Sequence, residues 1–283
     1  MCSQTTGDIM PELLELLPFA AFLLVIGAFA GVLAGLLGVG GGIVLVPAFF
    51  YVFSALGYDS PQLMQVCLAT SLATIIVTSV RSVLSHNKKG AVDWDILRGW
   101  AIGIAIGAVI GVTIASSLRS QQLQMVFGVL ASLIGLYMIF GKSEWRLGDH
   151  MPKGVKALAI SPFIGFLSVL MGIGGGSFGV PTMTLFGVPI HRAVATAAGF
   201  GVIIAVPSVV GFLILDLPAG VAPPFTIGAV NLPAFFIVIA MTILTAPYGA
   251  TLAHRINAPR LKKIFGAFLI LVALNMLRKA IGL

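Results

Sequence analysis

Two glycine runs have the residue types and spacing to do chemistry. Gly38-Val-Gly40-Gly41-Gly42 and Gly172-Ile-Gly174-Gly175-Gly176 each precede a short apolar stretch that carries a proline, Pro47 in one case and Pro181 in the other. Glycine lets the backbone leave helical geometry and lets a ligand come close to it. The N–H groups freed at the start of the next helix, with the dipole behind them, favour an anion. Two such helix starts facing each other could hold an anionic headgroup without any basic side chain. The candidate binding residues are therefore Gly40, Gly41, Gly42 and Ile43 at one break, and Gly174, Gly175, Gly176 and Ser177 at the other. Close helix packing through small residues is the competing explanation, and recurrence of the break at an equivalent point weighs against it.

A second polar feature lies in the apolar segment 62–85, where Ser71, Thr74, Thr78, Ser82 and Ser85 recur at helical spacing beside Thr70, Ser79 and Arg81. Such hydroxyls can donate to sulfonate-like or phosphate-like oxygens, or bond back to carbonyls of their own helix. Thr70, Ser71 and Thr74, with Thr196 at the position matching Thr70, complete the expected substrate site. Arg81 and Arg192, near the cytoplasmic ends of their segments, would gather anions at its entry or serve as snorkelling anchors.

The remaining ionisable residues narrow the chemistry. The nine acids, Asp8, Glu12, Glu15, Asp59, Asp93, Asp95, Glu144, Asp149 and Asp216, all fall in tails, loops or span ends. Cation carriers usually place carboxylates within the membrane, so a metal or sodium site is not expected. His86, His150, His191 and His254 are also peripheral, which leaves an intramembrane Ser–His dyad enzyme as a remote alternative. Cys2 and Cys67 form neither a disulfide framework nor a CxxC pair. No catalytic residue, metal or cofactor is expected.

The elements that hold these residues must be membrane helices. Of 283 residues 59% are apolar and only 9% charged, and the mean hydropathy is +1.10, against roughly 25% charge in a soluble domain. The net charge of +7 reads as a topology signal of cytoplasmic loops rather than as a nucleic-acid surface. Five apolar segments fall in each half, at 13–37, 43–56, 62–85, 95–117 and 121–141, then at 155–172, 177–188, 192–215, 229–253 and 259–282. The second segment of each half is short for a span and is expected to be a half-helix or re-entrant piece.

The two halves are copies. Residues 31–47 align without a gap to 165–181, Ala69-Thr70 matches Ala195-Thr196, and Gly90-Ala91-Val92 matches Gly228-Ala229-Val230. Gly111, Thr113 and Ala115 match Gly249, Thr251 and Ala253 at the same offset. Asp93 and Asn231, three residues after matched glycines, read as helix N-caps. Arg81, Lys88 and Lys89 occupy a loop whose counterpart, 216–228, has only Asp216, whereas one segment later Arg255, Arg260, Lys262 and Lys263 outweigh Arg119. Equivalent loops thus lie on opposite sides, and the repeats are inverted. The expected class is all-α, a polytopic membrane protein with a tail (1–12), a first repeat (13–141), a cytoplasmic linker (142–154) and a second repeat (155–283). Arg278 and Lys279 violate this topology on the outer side. Gly103, Gly107 and Gly111, spaced by four, could pack within the chain or between copies in a homo-oligomer.

The duplicated Gly-x-Gly-Gly-Gly-x-x-x-Val-Pro blocks at 38–47 and 172–181, the Ala-Thr pairs at 69–70 and 195–196, and Gly90-Ala91-Val92-Asp93-Trp94 resemble the TauE/SafE family of sulfite and organosulfonate transporters. The resemblance covers about residues 20–282. It implies a secondary transporter in the plasma membrane, commonly an exporter, with a small anionic sulfur compound as substrate and the lipid bilayer as surroundings. The Gly blocks and Thr70-Ser71 fall in the family's motifs, while Ala197 stands where a serine often follows the second threonine. From the residues alone, a secondary carrier working by alternating access is the first reading, with protons a candidate coupling ion, and a passive anion channel is the alternative.

Overall fold

Apolar runs punctuated by Gly and Pro fold as ten helices among the described residues of this computed structural model, which describes 9–37, 41–141, 145–218, 220–253 and 258–282. In the first half these are α1 (Ile9–Leu37), α2 (Gly42–Ala55), α3 (Leu63–Lys88), α4 (Trp94–Ser117) and α5 (Ser120–Phe140). In the second they are α6 (Val155–Met171), α7 (Gly176–Leu185), α8 (Ile190–Leu213), α9 (Leu232–Ala253) and α10 (Ala258–Ala280). A small antiparallel pair, β1 (Thr226–Ile227) with β2 (Val230–Asn231), precedes α9. Among the described residues six helices are long and apolar enough to cross a membrane, so the chain is an all-α multi-pass membrane protein. α1 starts at Ile9, earlier than the expected boundary at 13, with Pro11 in the first turn, where a missing N–H breaks no helical bond.

At 1.5 Å per residue, α7 with its 10 residues spans about 15 Å and α2 with 14 about 21 Å, both short of a hydrocarbon core of roughly 30 Å. α6 and α7 form a helical hairpin whose two ends meet. The N–H groups of Leu147 and Gly148, before α6, donate to the carbonyl of Leu185 at the end of α7 at 2.7 and 3.4 Å. The indole N–H of Trp100 reaches the Pro152 carbonyl at 3.1 Å, which places the start of α4 on the same face. This face also holds the end of α3 with Lys88 and Lys89, and it is the basic face of the protein.

The opposite face gathers the end of α2, the start of α5 and the end of α10. Ser120 N–H donates to the Pro61 carbonyl at 2.7 Å, and the Gln121 amide to the Ala280 carbonyl at 2.6 Å. Lys279, which breaks the charge rule, has its ammonium 5.0 Å from the Phe50 ring and 5.3 Å from that of Tyr51, and 3.4 Å from Ser54 Oγ. Cation–π attraction gives this residue a local reason to be there.

The halves interlock by exchanging partners. α4 of the first half runs beside α6 of the second, with Gly103, Gly107 and Gly111 against Ser161, Pro162 and Val169, and Gly165 against Ile104 and Ala108. The equivalent pair is α1 beside α9, where Gly31 abuts Thr242 and Thr245, and Gly249 abuts Val32. A Cβ at Gly107 would collide with the Pro162 carbonyl, so the glycine row serves backbone approach within the chain. α3 and α8 cross at the centre, with Leu68, Leu72, Ile75, Phe200 and Ile204 fully buried. Ile102, Val109, Leu133 and Phe163 stay exposed on the outside, as suits side chains in contact with lipid.

Candidate functional site

Three of the four hydroxyls expected to bind substrate, those of Thr70, Ser71 and Thr196, join the two halves in this structure. Thr70 Oγ1 on α3 accepts the backbone N–H of Asn231 at 3.0 Å, and its counterpart Thr196 on α8 accepts that of Asp93 at 2.9 Å. Asn231 and Asp93 then cap α9 and α4, their side-chain oxygens accepting from the N–H groups of Ala234 and Ile96 at 3.1 and 3.2 Å. Each contact is the image of the other under exchange of the repeats. Ser71 Oγ donates to the Gly172 carbonyl at 2.7 Å, and Thr74 Oγ1 to the Ser71 carbonyl at 2.6 Å. Thr70, Ser71, Thr74 and Thr196 have no exposed surface. In this conformation their hydroxyls are occupied by the protein.

The two glycine breaks differ in detail. Gly41 caps the start of α2 in left-handed geometry at φ +70°, which a side chain would strain. Gly42 lies against the second break, where an added Cβ would meet the Gly172 carbonyl at 2.7 Å, Ile75 Cδ1 at 2.8 Å and Ile173 Cα at 3.1 Å. Ile43 is buried. Gly38 and Gly40 lie outside the described residues. In the second break Gly172 ends α6 at φ +62°, and its carbonyl, one of those a helix terminus leaves unpaired, is the acceptor for Ser71. Among the described residues, Gly42 at the first helix start is packed on the Gly172 carbonyl of the second break, and Gly174–Gly176 of the second border a cavity.

That cavity, about 570 Å³, runs from the basic face to Gly174, Gly175 and Gly176. Its polar wall is the C-terminal part of α3, with Thr78, Ser79, Ser82 and Ser85, and its mouth carries Arg81, His86, Lys88 and Lys89. Ala34 of α1, Ala197 and Ala198 of α8, and Thr242 and Ala246 of α9 close the remaining sides. The backbone N–H groups of Gly174, Gly175, Gly176 and Ser177 donate to no described residue, and the buried Ser177 hydroxyl has no partner among the described residues. Among the described residues no carboxylate lines this cavity. A space with free N–H donors at its closed end and cations at its mouth suits a small anion.

Arg81 and Arg192 part company. Arg81 borders this cavity, whereas Arg192 lies in a second one of about 530 Å³, where its guanidinium is 3.4 Å from Asp93 Oδ2. The second cavity mixes signs, with Asp93, Asp95 and Asp149 among Arg98, Lys153 and Arg192. Sequence reasoning placed the stripe 71–85 on one helix face, but the part nearer the loop lines the cavity and the part nearer the helix start is consumed in packing. Spacing along one helix does not show where its neighbours end.

Comparison with known proteins agrees with this architecture. Residues 23–276 match the family described as sulfite exporter TauE/SafE. The chain is 30% identical over 261 residues to a probable membrane transporter protein of Haemophilus influenzae, covering 92% of this chain and 99% of that one. It is 26% identical over 268 residues to one from Methanocaldococcus jannaschii, covering 94% and 97%. A third, from Bacillus subtilis, is 33% identical over 195 residues, covering 62% of this chain and 71% of its own. No solved structure matches the chain.

Proposed function

Because the chain belongs to the sulfite exporter TauE/SafE family and so is a membrane transporter, we propose that it is a secondary carrier that exports a small sulfur-containing anion, sulfite or an organosulfonate. The observation that carries this reading is the cavity of about 570 Å³ that joins Arg81, Lys88 and Lys89 to the backbone N–H groups of Gly174–Gly176, which donate to no described residue. In this reading the basic face is cytoplasmic, the cations at the mouth raise the local anion concentration, and the α7 start receives the headgroup. Ser177 and the α3 hydroxyl of Ser79 would complete its hydrogen bonds. With a water occupying about 30 Å³, the cavity has room for a small oxyanion and part of its hydration shell.

The cavity from the basic face closes at Gly174–Gly176 among the described residues, and a path that stops within the protein favours a carrier over a passive channel. Alternating access then follows from two inverted halves exchanging a closed and an open break. Protons need no titratable residue in a span, since sulfite and bisulfite interconvert near neutral pH and the substrate itself can carry the proton. The test is uptake by liposomes containing the protein, with sulfite, thiosulfate, taurine or sulfoacetate, with and without a proton gradient. Saturable movement of one of these anions is expected. No movement of any of them overturns the reading, and non-saturable flux transfers it to a channel.

A further inference from the structure

The exchange of partners between the halves specifies residues that the basic-face cavity does not use. Thr70 holds Asn231 as Thr196 holds Asp93, and α1 lies on α9 as α6 lies on α4. Applying that exchange to the cavity wall turns Ala34 into Ser168, Ala197 into Ser71, Ser82 into Ser208, and Gly176 into Gly42. Ser168, Ser71 and Ser208 have no exposed surface here. Two of them have internal partners, Ser71 on the Gly172 carbonyl and Ser208 on that of Ile204. Ser168 has none among the described residues, although it is completely buried. An apolar residue would fill that place without leaving a hydroxyl unpaired. Packing in the state seen gives no reason for the serine.

We propose that Ser168, with Ser71 and Gly42, lines the anion site of a second state in which the cavity opens on the face opposite Lys88 and Lys89. The proposal rests on the carrier reading above and names the substrate contacts of its other half-cycle. It also gives the two states unequal character. The counterparts of Arg81, His86, Lys88 and Lys89 are Pro207, Phe212, Ile214 and Leu215, so the second cavity offers hydroxyls and N–H groups but no cations. An anion is gathered on the basic face and held less strongly on the other, which is the order of affinities an exporter uses.

The test is thiol accessibility in sealed vesicles of known sidedness, using the full chain with Cys2→Ser and the buried Cys67 retained. The probe is 2-sulfonatoethyl methanethiosulfonate, a small membrane-impermeant sulfonate that modifies thiols. Ser168→Cys is expected to react from the face opposite Lys88 and Lys89, with loss of sulfur-anion transport on modification. Thr78→Cys reacts from the basic face, and the parent with Cys67 alone remains unmodified. In a Ser168→Cys protein that still transports, reaction from the basic face alone, or no reaction, overturns the proposal. Where Ser168→Cys does not fold, Ser208→Cys decides by the same outcomes. A protein that moves no sulfur anion yet reacts at Ser168→Cys from the opposite face supports the second cavity and removes the transport reading instead.

Discussion

At the first glycine break the chain is closely packed, with Gly42 on the Gly172 carbonyl of the second half and on Ile75 of α3. At the second, Gly174–Gly176 border a cavity of about 570 Å³. Two segments with the same pattern thus occupy different environments, and the cause lies outside both of them. Ser71, on α3, satisfies the carbonyl that the second break exposes, whereas its counterpart Ala197 has no hydroxyl to return the favour and instead forms part of the cavity wall. A repeat can be symmetric in its elements and cross-half bonds while remaining unsymmetric in which interface is closed.

The largest expected effects come from single glycines at matched positions, since Gly41 and Gly175 align. Gly175→Ala brings a Cβ to 2.8 Å from the Ala197 carbonyl and 3.0 Å from Gly201 N, and against Phe200, so α7 must shift from α8 and carry the cavity floor with it. Overpacking of this kind costs about 1–3 kcal/mol. Anion-induced thermal stabilisation should disappear. Gly41→Ala brings its Cβ to 3.0 Å from the Ala30 carbonyl at φ +70°, with a left-handed strain of about 1–2 kcal/mol. It should lower the melting temperature to a similar extent and leave anion binding in place. Equal loss of binding in both variants would remove the functional difference between the breaks.

Ser71→Ala comes next. It leaves the buried Gly172 carbonyl without its donor, a loss of about 1–3 kcal/mol, which a thermal melt in detergent would read. Thr70→Val and Thr196→Val follow, as a direct measure of the cross-half symmetry. Thr70 serves Asn231 in a fully buried bond and Thr196 serves Asp93 in a part-buried one. Loss of the first should cost about 1–3 kcal/mol, and of the second about 0.5–1.5 kcal/mol because water can reach the freed N–H. A larger loss at Thr196 would mean that the basic face is closed more tightly than its cavities imply.

The elements were legible in the sequence for physical reasons that the site lacks. Span lengths and the caps Asp93 and Asn231 are local or compositional properties, and each reappears in the structure. The short second segments were visible as such, although only the bonds from Leu147 and Gly148 to Leu185 fix the ends of α6 and α7 on one face. The roles of Thr70, Ser71 and Thr74 were not legible, because a hydroxyl's spacing is the same whether it faces a cavity or the carbonyl of a residue about a hundred positions away. Ser168 was beyond reach for a related reason. An unpaired hydroxyl is defined by what surrounds it, and nothing in the residue type announces it.

Asp93→Asn, the smallest effect, sharpens the comparison by making the two caps chemically alike. Asn231 already shows that an amide oxygen at this position accepts the capping N–H, so the start of α4 should persist. What is lost is the pairing with Arg192, whose side chain is 52% exposed and 3.4 Å away. Exposed pairs contribute about 0–1 kcal/mol, and added salt should narrow the gap between the variant and the parent. A fall of several degrees in the melting temperature that persists in high salt would instead show that Asp93 holds the α8 start against α4 through more than this pair. The basic face would then have a latch that the opposite face, with Asn231 and with Val66 in place of Arg192, does not possess.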